Sequence, residues 1–145
     1  MELTVERVIS ATPARLYKAW TQAEQLGQWW GPPGVRCVEA TVDAQVGSRY
    51  TIVHEMPDGG RLVIGGAFLA LEPPHRLTFS WAVGEQGPVE RVTVSFIALP
   101  VEDGEPAQTR VRVEHSRIAH EATRTSHHAG WEACLTGLAA VLEAR

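Results

Sequence analysis

Residues 121–143 read EATRTSHHAGWEACLTGLAAVLE, and their period decides what the rest of the chain must do. Trp131, Cys134, Leu135, Leu138, Val141 and Leu142 recur at spacings of three and four, while Glu132, Thr136 and Glu143 fall between them. That pattern predicts one amphipathic helix with an apolar stripe. At 1.5 Å per residue the helix spans on the order of 34 Å, about the length of a ten-residue strand. It is long enough to lie along a whole sheet, and the sequence before it supplies one.

From Val35 to about Ile118 the texture is six strands, separated by turn residues at Gly47, Pro57-Asp58-Gly59-Gly60, Pro73-Pro74, Gly84 to Pro88 and Asp103-Gly104. Leu77, Phe79 and Trp81 alternate with Thr78 and Ser80. Val92, Val94 and Phe96 alternate with Thr93 and Ser95, and Val111 and Val113 with Arg110, Arg112 and Glu114. One face is dry and the other wet. Loops this short allow no helical crossover, so neighbours pair antiparallel as a meander. Before Val35 the order changes. Leu3 to Ile9 alternates as a strand, and Thr12-Pro13 then starts a short helix near Pro13 to Trp20. Thr21 with Glu24 reads as a capping box for a second short helix, carrying Leu26, Trp29 and Trp30 and stopped by Gly31-Pro32-Pro33-Gly34. The expected fold is therefore α+β: a seven-stranded antiparallel sheet, two short helices after its first strand, and one long C-terminal helix.

Seven strands at about 4.8 Å make a sheet roughly 29 Å wide, against a helix about 10–12 Å across. The sheet must curl around the helix, helped by Gly47, Gly65 and Gly66, and curling encloses a volume that side chains or a ligand must fill.

Composition bounds the function. A chain of 145 residues, 44% hydrophobic and 21% charged, is expected to form one domain, 1–145, without staples. Thirteen basic against seventeen acidic residues give a net charge of −4 with no block of like charge, which disfavours a nucleic-acid face. Cys37 and Cys134 have no C-x-x-C spacing and read as free thiols. The first residues carry acids and no apolar signal core, and the longest apolar stretch, Leu62 to Leu71, is far too short to span a membrane. Cytoplasmic placement without membrane insertion is the expectation.

The β-α-α-β(six)-α order, with Thr12-Pro13, Trp20-Thr21, Trp29-Trp30-Gly31-Pro32, Pro73-Pro74, Arg76-Leu77, Phe79, Trp81 and Gly130-Trp131, resembles the activator of heat-shock-protein-90 ATPase-like family. That family lies in the START and birch-pollen-allergen-like superfamily, SRPBCC, and the resemblance covers nearly the whole chain. It implies a helix-grip fold with an internal hydrophobic ligand-binding cavity, and a bacterial protein of unassigned role. The eukaryotic co-chaperones of the family carry a further amino-terminal domain for which this chain leaves no room, so their function is not expected here.

The candidate ligand contacts follow from parity and helical phase. Tyr50, Ile52, His54 and Met56 share one side of a strand, which places Tyr50 and His54 on the cavity wall if Ile52 points inward. Phe79 and Trp81 share the inward parity of their strand, and His115 follows Val111 and Val113. Trp131 and Leu135 lie on the helical stripe, which His127 and His128 extend backward; Trp30 ends a short helix where an aromatic can cover an opening. No metal is expected, because H-E-x-x-H is absent and adjacent histidines on a helix point about 100° apart. No cofactor fingerprint occurs. No nucleophile assembles either: Ser80 has outward parity, Cys134 sits on the apolar stripe, and neither matches a nucleophile motif.

The reading is a small START-like domain that binds a hydrophobic or aromatic molecule and is not expected to be an enzyme. Two alternatives stand beside it: a cyclase- or hydrolase-like enzyme using His54, His115 or Glu55 as base, and a chaperone-associated or stress-related interaction module. Association as a homodimer is compatible with the sequence, though no feature fixes an interface.

Overall fold

The fold is seen in a computed structural model that describes residues 1–30, 35–84 and 87–144. The elements run β1 (Leu3–Ile9), α1 (Pro13–Thr21), α2 (Ala23–Trp29), β2 (Arg36–Val42), β3 (Arg49–Glu55), β4 (Arg61–Glu72), β5 (Arg76–Val83), β6 (Glu90–Ala98), β7 (Thr109–Ser116) and α3 (Glu121–Glu143). The strands form one antiparallel sheet in the order β1-β7-β6-β5-β4-β3-β2, so β2 to β7 are a meander and β1 closes onto β7 with Val5 opposite Val113. The expected Gly31-Pro32-Pro33-Gly34 stop lies outside the described residues, as does the centre of the Gly84 to Pro88 turn.

Local chemistry explains the early helices, with one correction. The Thr12 hydroxyl accepts the Arg15 N–H at 3.2 Å and Pro13 fills the first turn, as a capping residue before proline should. Thr21 does not cap the second helix. Its hydroxyl donates instead to the Tyr17 carbonyl at 2.8 Å, one turn back in α1, and Gln22 stands at the cap position of α2 with its side-chain oxygen accepting from Gln25 Nε2 at 2.7 Å and not from a backbone N–H. A threonine whose preceding turn is already helical has a carbonyl in reach, and that bond removes it from capping duty.

Curvature comes from two places where the ladder is interrupted. The β2–β3 register shifts between Cys37 and Glu39, and the β4–β5 register between Phe68 and Ala70. Two residues before the second interruption β5 passes close over Gly66, where an added Cβ would lie 2.0 Å from the Ser80 carbonyl oxygen. Polar groups freed from the ladder are taken up locally: the Tyr50 hydroxyl donates to the Ser80 carbonyl at 2.7 Å, and the Ser80 hydroxyl accepts the Ala67 N–H at 2.9 Å.

The concave face carries the core. Val92, Val94, Val111, Val113, Leu135 and Leu138 are fully buried between sheet and α3, each worth about 1.5–3 kcal/mol relative to exposure. All five tryptophans meet there. Trp20 stacks on Trp131 at 5.8 Å and contacts Trp29 and Trp30, while Trp30 and Trp131 both contact Trp81. Gly137, where an added Cβ would lie 3.2 Å from the Trp29 carbonyl oxygen, lets α2 approach α3. These indoles fill the end of the curl under α1 and α2 and leave the other end to the site.

Candidate functional site

Between α3 and the outer half of the sheet lies a cavity of about 320 Å³. Its sheet wall is built by period-two placement: His54 and Met56 following β3's inward residue Ile52, Leu62 and Ile64 from β4, Trp81 and Val83 from β5. Its helix wall is Ser126, His127, Gly130, Trp131 and Cys134, which share one face of α3. Trp30 closes the inner end and Val35 completes the lining. The volume lies in the range of small-molecule sites, and the lining is predominantly apolar and aromatic with a few polar groups, as such sites usually are.

Two of those polar groups have unspent hydrogen-bonding capacity. The Trp81 indole N–H and His54 Nε2 are buried and have no hydrogen-bond partner among the described residues. Burial alone pushes the His54 imidazole below its ordinary pKa.

Behind the helix wall sits a hydrogen-bonded cluster that joins β6, β7 and α3. Glu90, the first residue of β6, is 3% exposed and stands on the inward parity of Val92, Val94 and Phe96. Its Oε1 is 2.7 Å from His115 Nε2 and 2.9 Å from His127 Nε2. The Trp131 indole N–H donates to His115 Nδ1 at 2.9 Å. That last bond fixes the tautomer: Nδ1 must be the acceptor, so Nε2 carries the proton and donates to Glu90. A second proton on His115 would face the Trp131 donor. Burial in this setting holds the His115 pKa down to about 4, against the pull of Glu90.

The three ligand atoms of Glu90, His115 and His127 lie within 4.8 Å of one another, the donor set of a two-histidine, one-carboxylate metal centre. The tautomer opposes that use. A metal on His115 Nε2 would send the ring proton to Nδ1, against the Trp131 N–H, whereas the existing bonds occupy both ring nitrogens of His115. The arrangement works as a carboxylate holding two imidazoles, with His115 sealed inside and His127, 19% exposed, reaching the cavity lining.

Of the sequence-predicted contacts, Trp30, His54, Trp81 and Trp131 line the cavity. Tyr50 and Phe79 instead line a separate void of about 20 Å³, room for about one water, and the Tyr50 hydroxyl is already bound to Ser80. His115 lies one layer behind the wall. Leu135 is 1% exposed and packs on the β1 side of α3, beside Val5. His128 faces an outer groove and pairs with Glu132 at 2.9 Å, because one residue along a helix turns the side chain by about 100° away from His127. Trp29 plugs the core, its indole N–H bound to the Ala19 carbonyl at 3.0 Å. Glu90 was not among the predicted residues; its signal is an acid on the dry parity of a strand. Neither Cys37 nor Cys134 is in a disulfide.

A family model described as activator of Hsp90 ATPase homolog 1-like protein matches residues 10–143. No curated protein matches the chain significantly. Among solved structures, a protein from Chromobacterium violaceum is similar with a TM-score of 0.84 and 26% identity, over 98% of this chain and 96% of that one. The AHSA1 protein of Silicibacter pomeroyi follows at a TM-score of 0.80 and 24% identity, over 99% and 98%. A protein in the dynemicin biosynthetic locus shares the fold at a TM-score of 0.76 and 22% identity, over 98% of this chain and 47% of that one.

Proposed function

The chain belongs to the activator of Hsp90 ATPase homolog 1-like family, and from that premise we propose that it binds a small, largely apolar or aromatic molecule between the sheet and α3. The observation that carries the reading is the cavity of about 320 Å³, walled by Trp30, Trp81, Trp131, Ile64 and Leu62. A void of that size, left open beside five clustered tryptophans, forfeits packing that a ligand would restore. The unpaired Trp81 N–H and His54 Nε2 in the same wall support a ligand with a polar edge rather than a pure hydrocarbon.

The test is a thermal-shift screen of fatty acids, sterols and aromatic metabolites. A ligand at 100 times its dissociation constant adds about 2.7 kcal/mol to stability, several degrees for a domain of this size. Because Trp30, Trp81 and Trp131 face the cavity, a true occupant also changes the intrinsic fluorescence. A broad panel that moves neither melting temperature nor emission overturns the reading.

A further inference from the structure

The described residues offer one group that both faces the cavity and is wired to a buried charge. His127 lines the cavity from α3, and its Nε2 lies 2.9 Å from Oε1 of Glu90, a carboxylate 3% exposed. Donation from Nε2 leaves Nδ1 as the ring's remaining acceptor. His115 cannot share the task, since its Nδ1 is taken by Trp131 and its Nε2 proton by Glu90. The two rings stack at 4.7 Å and 17°, which fixes the plane of His127, and Trp81 meets its edge at 6.0 Å. The other titratable groups of the lining are His54, across the cavity on β3, and Cys134 on α3.

We propose that the Glu90–His127 pair is the cavity's proton acceptor, and that the ligand class is an aromatic molecule bearing a weakly acidic hydroxyl, a phenol or an enol. This deepens the binding reading and rests on it. In the complex the ligand's O–H bond breaks, its electron pair stays on oxygen, and the proton passes to His127 Nδ1. The imidazolium then lies between the ligand oxyanion and the Glu90 carboxylate. Each of its N–H groups donates to an anion, and such charge-assisted bonds are about twice as strong as neutral ones. Without Glu90 the same transfer would leave an oxyanion and an imidazolium in an apolar pocket with no third charge to hold the proton in place. Glu90 touches no ligand, so it is a positioning residue, and His127 is the contact.

2-Naphthol and 2-methoxynaphthalene, in which a methyl group replaces the acidic proton, test the claim in the intact chain. The wild-type protein is expected to bind 2-naphthol at least about tenfold tighter than the ether, with the red-shifted naphtholate absorption band appearing near neutral pH. His127→Gln, at a half-buried helix position that keeps a hydrogen-bonding side chain, should remove the band and the preference, so that the two compounds bind alike. Glu90→Gln, checked for folding by circular dichroism, should diminish the band and narrow the preference for 2-naphthol over the ether. Equal affinity for the two compounds, or a naphtholate band that survives His127→Gln, overturns the proton-acceptor assignment and leaves the cavity reading standing. If neither compound binds, the cavity reading falls and takes this assignment with it.

Discussion

At the scale of single residues, the decisive contact is the Trp131 N–H on His115 Nδ1. Burial makes His115 a histidine that resists protonation, that donor at Nδ1 opposes a second ring proton as well, and the consequence for stability has a definite sign. In the unfolded chain His115 takes up a proton near its ordinary value of 6.5, whereas in the fold it does so only at about 4. Between those values the unfolded state binds more protons, so stability is full above about pH 6.5 and is lost as the pH falls toward 4. The loss from this one group is on the order of 3 kcal/mol, each pKa unit being worth about 1.4 kcal/mol. His54, held down by burial, pushes in the same direction. Urea midpoints measured between pH 7 and pH 4 should fall accordingly. Trp131→Phe removes the blocking donor, so the imidazole resonances of His115 should titrate at higher pH and the acid sensitivity of the midpoint should shrink, even as the variant loses stability overall. An unchanged His115 titration would mean that burial alone, and not the indole, sets its protonation.

At the scale of elements, period carries far and contact carries the rest. The alternation of Leu77, Phe79 and Trp81, or of Val111, Val113 and His115, fixes which side of a strand is dry, and the structure buries all six. Parity does not say how far along the curled sheet a residue lies. Tyr50 and His54 share a face, yet one ends in the small void and the other in the cavity, because β4 and β5 cross closely at Gly66 and Ser80 between them. Glu90 was illegible for a related reason. An acid just after a turn reads as solvated, and its partners His115 and His127 lie 25 and 37 residues away on other elements. The Gly66 crossing is itself testable. A Cβ at 2.0 Å from a backbone oxygen cannot be relieved by a rotamer change, so Gly66→Ala should cost at least about 2 kcal/mol, read as a lower urea midpoint. Gly65→Ala, whose Cβ would meet the Tyr50 carbonyl oxygen at 3.3 Å, should cost under about 1 kcal/mol. Equal effects would show that strand propensity, not the close approach, governs this stretch.

At the scale of the whole molecule, the balance is between an α3 that seals the sheet and one that leaves room beneath it. The width argument, a broad sheet over one helix, anticipates an enclosed volume but not its division: Trp20, Trp29 and Trp30 fill one end, and the cavity remains at the other. Gly130 borders the open end. It lies on the cavity face of α3 between His127 and Trp131, and an added Cβ there would meet nothing within 4 Å. Glycine within a helix costs about 0.5–1 kcal/mol relative to alanine, so Gly130→Ala should raise stability by that amount, read as a higher urea midpoint. Gly130→Leu carries the logic to its end. Its side chain enters open space and covers apolar wall, so the variant should fold at least as stably as the wild type while losing the binding of any compound found in the thermal-shift screen. A leucine variant that binds such a compound with undiminished affinity would place the ligand somewhere other than beneath α3, and one that unfolds would mean that the helix needs the missing side chain to close on the sheet.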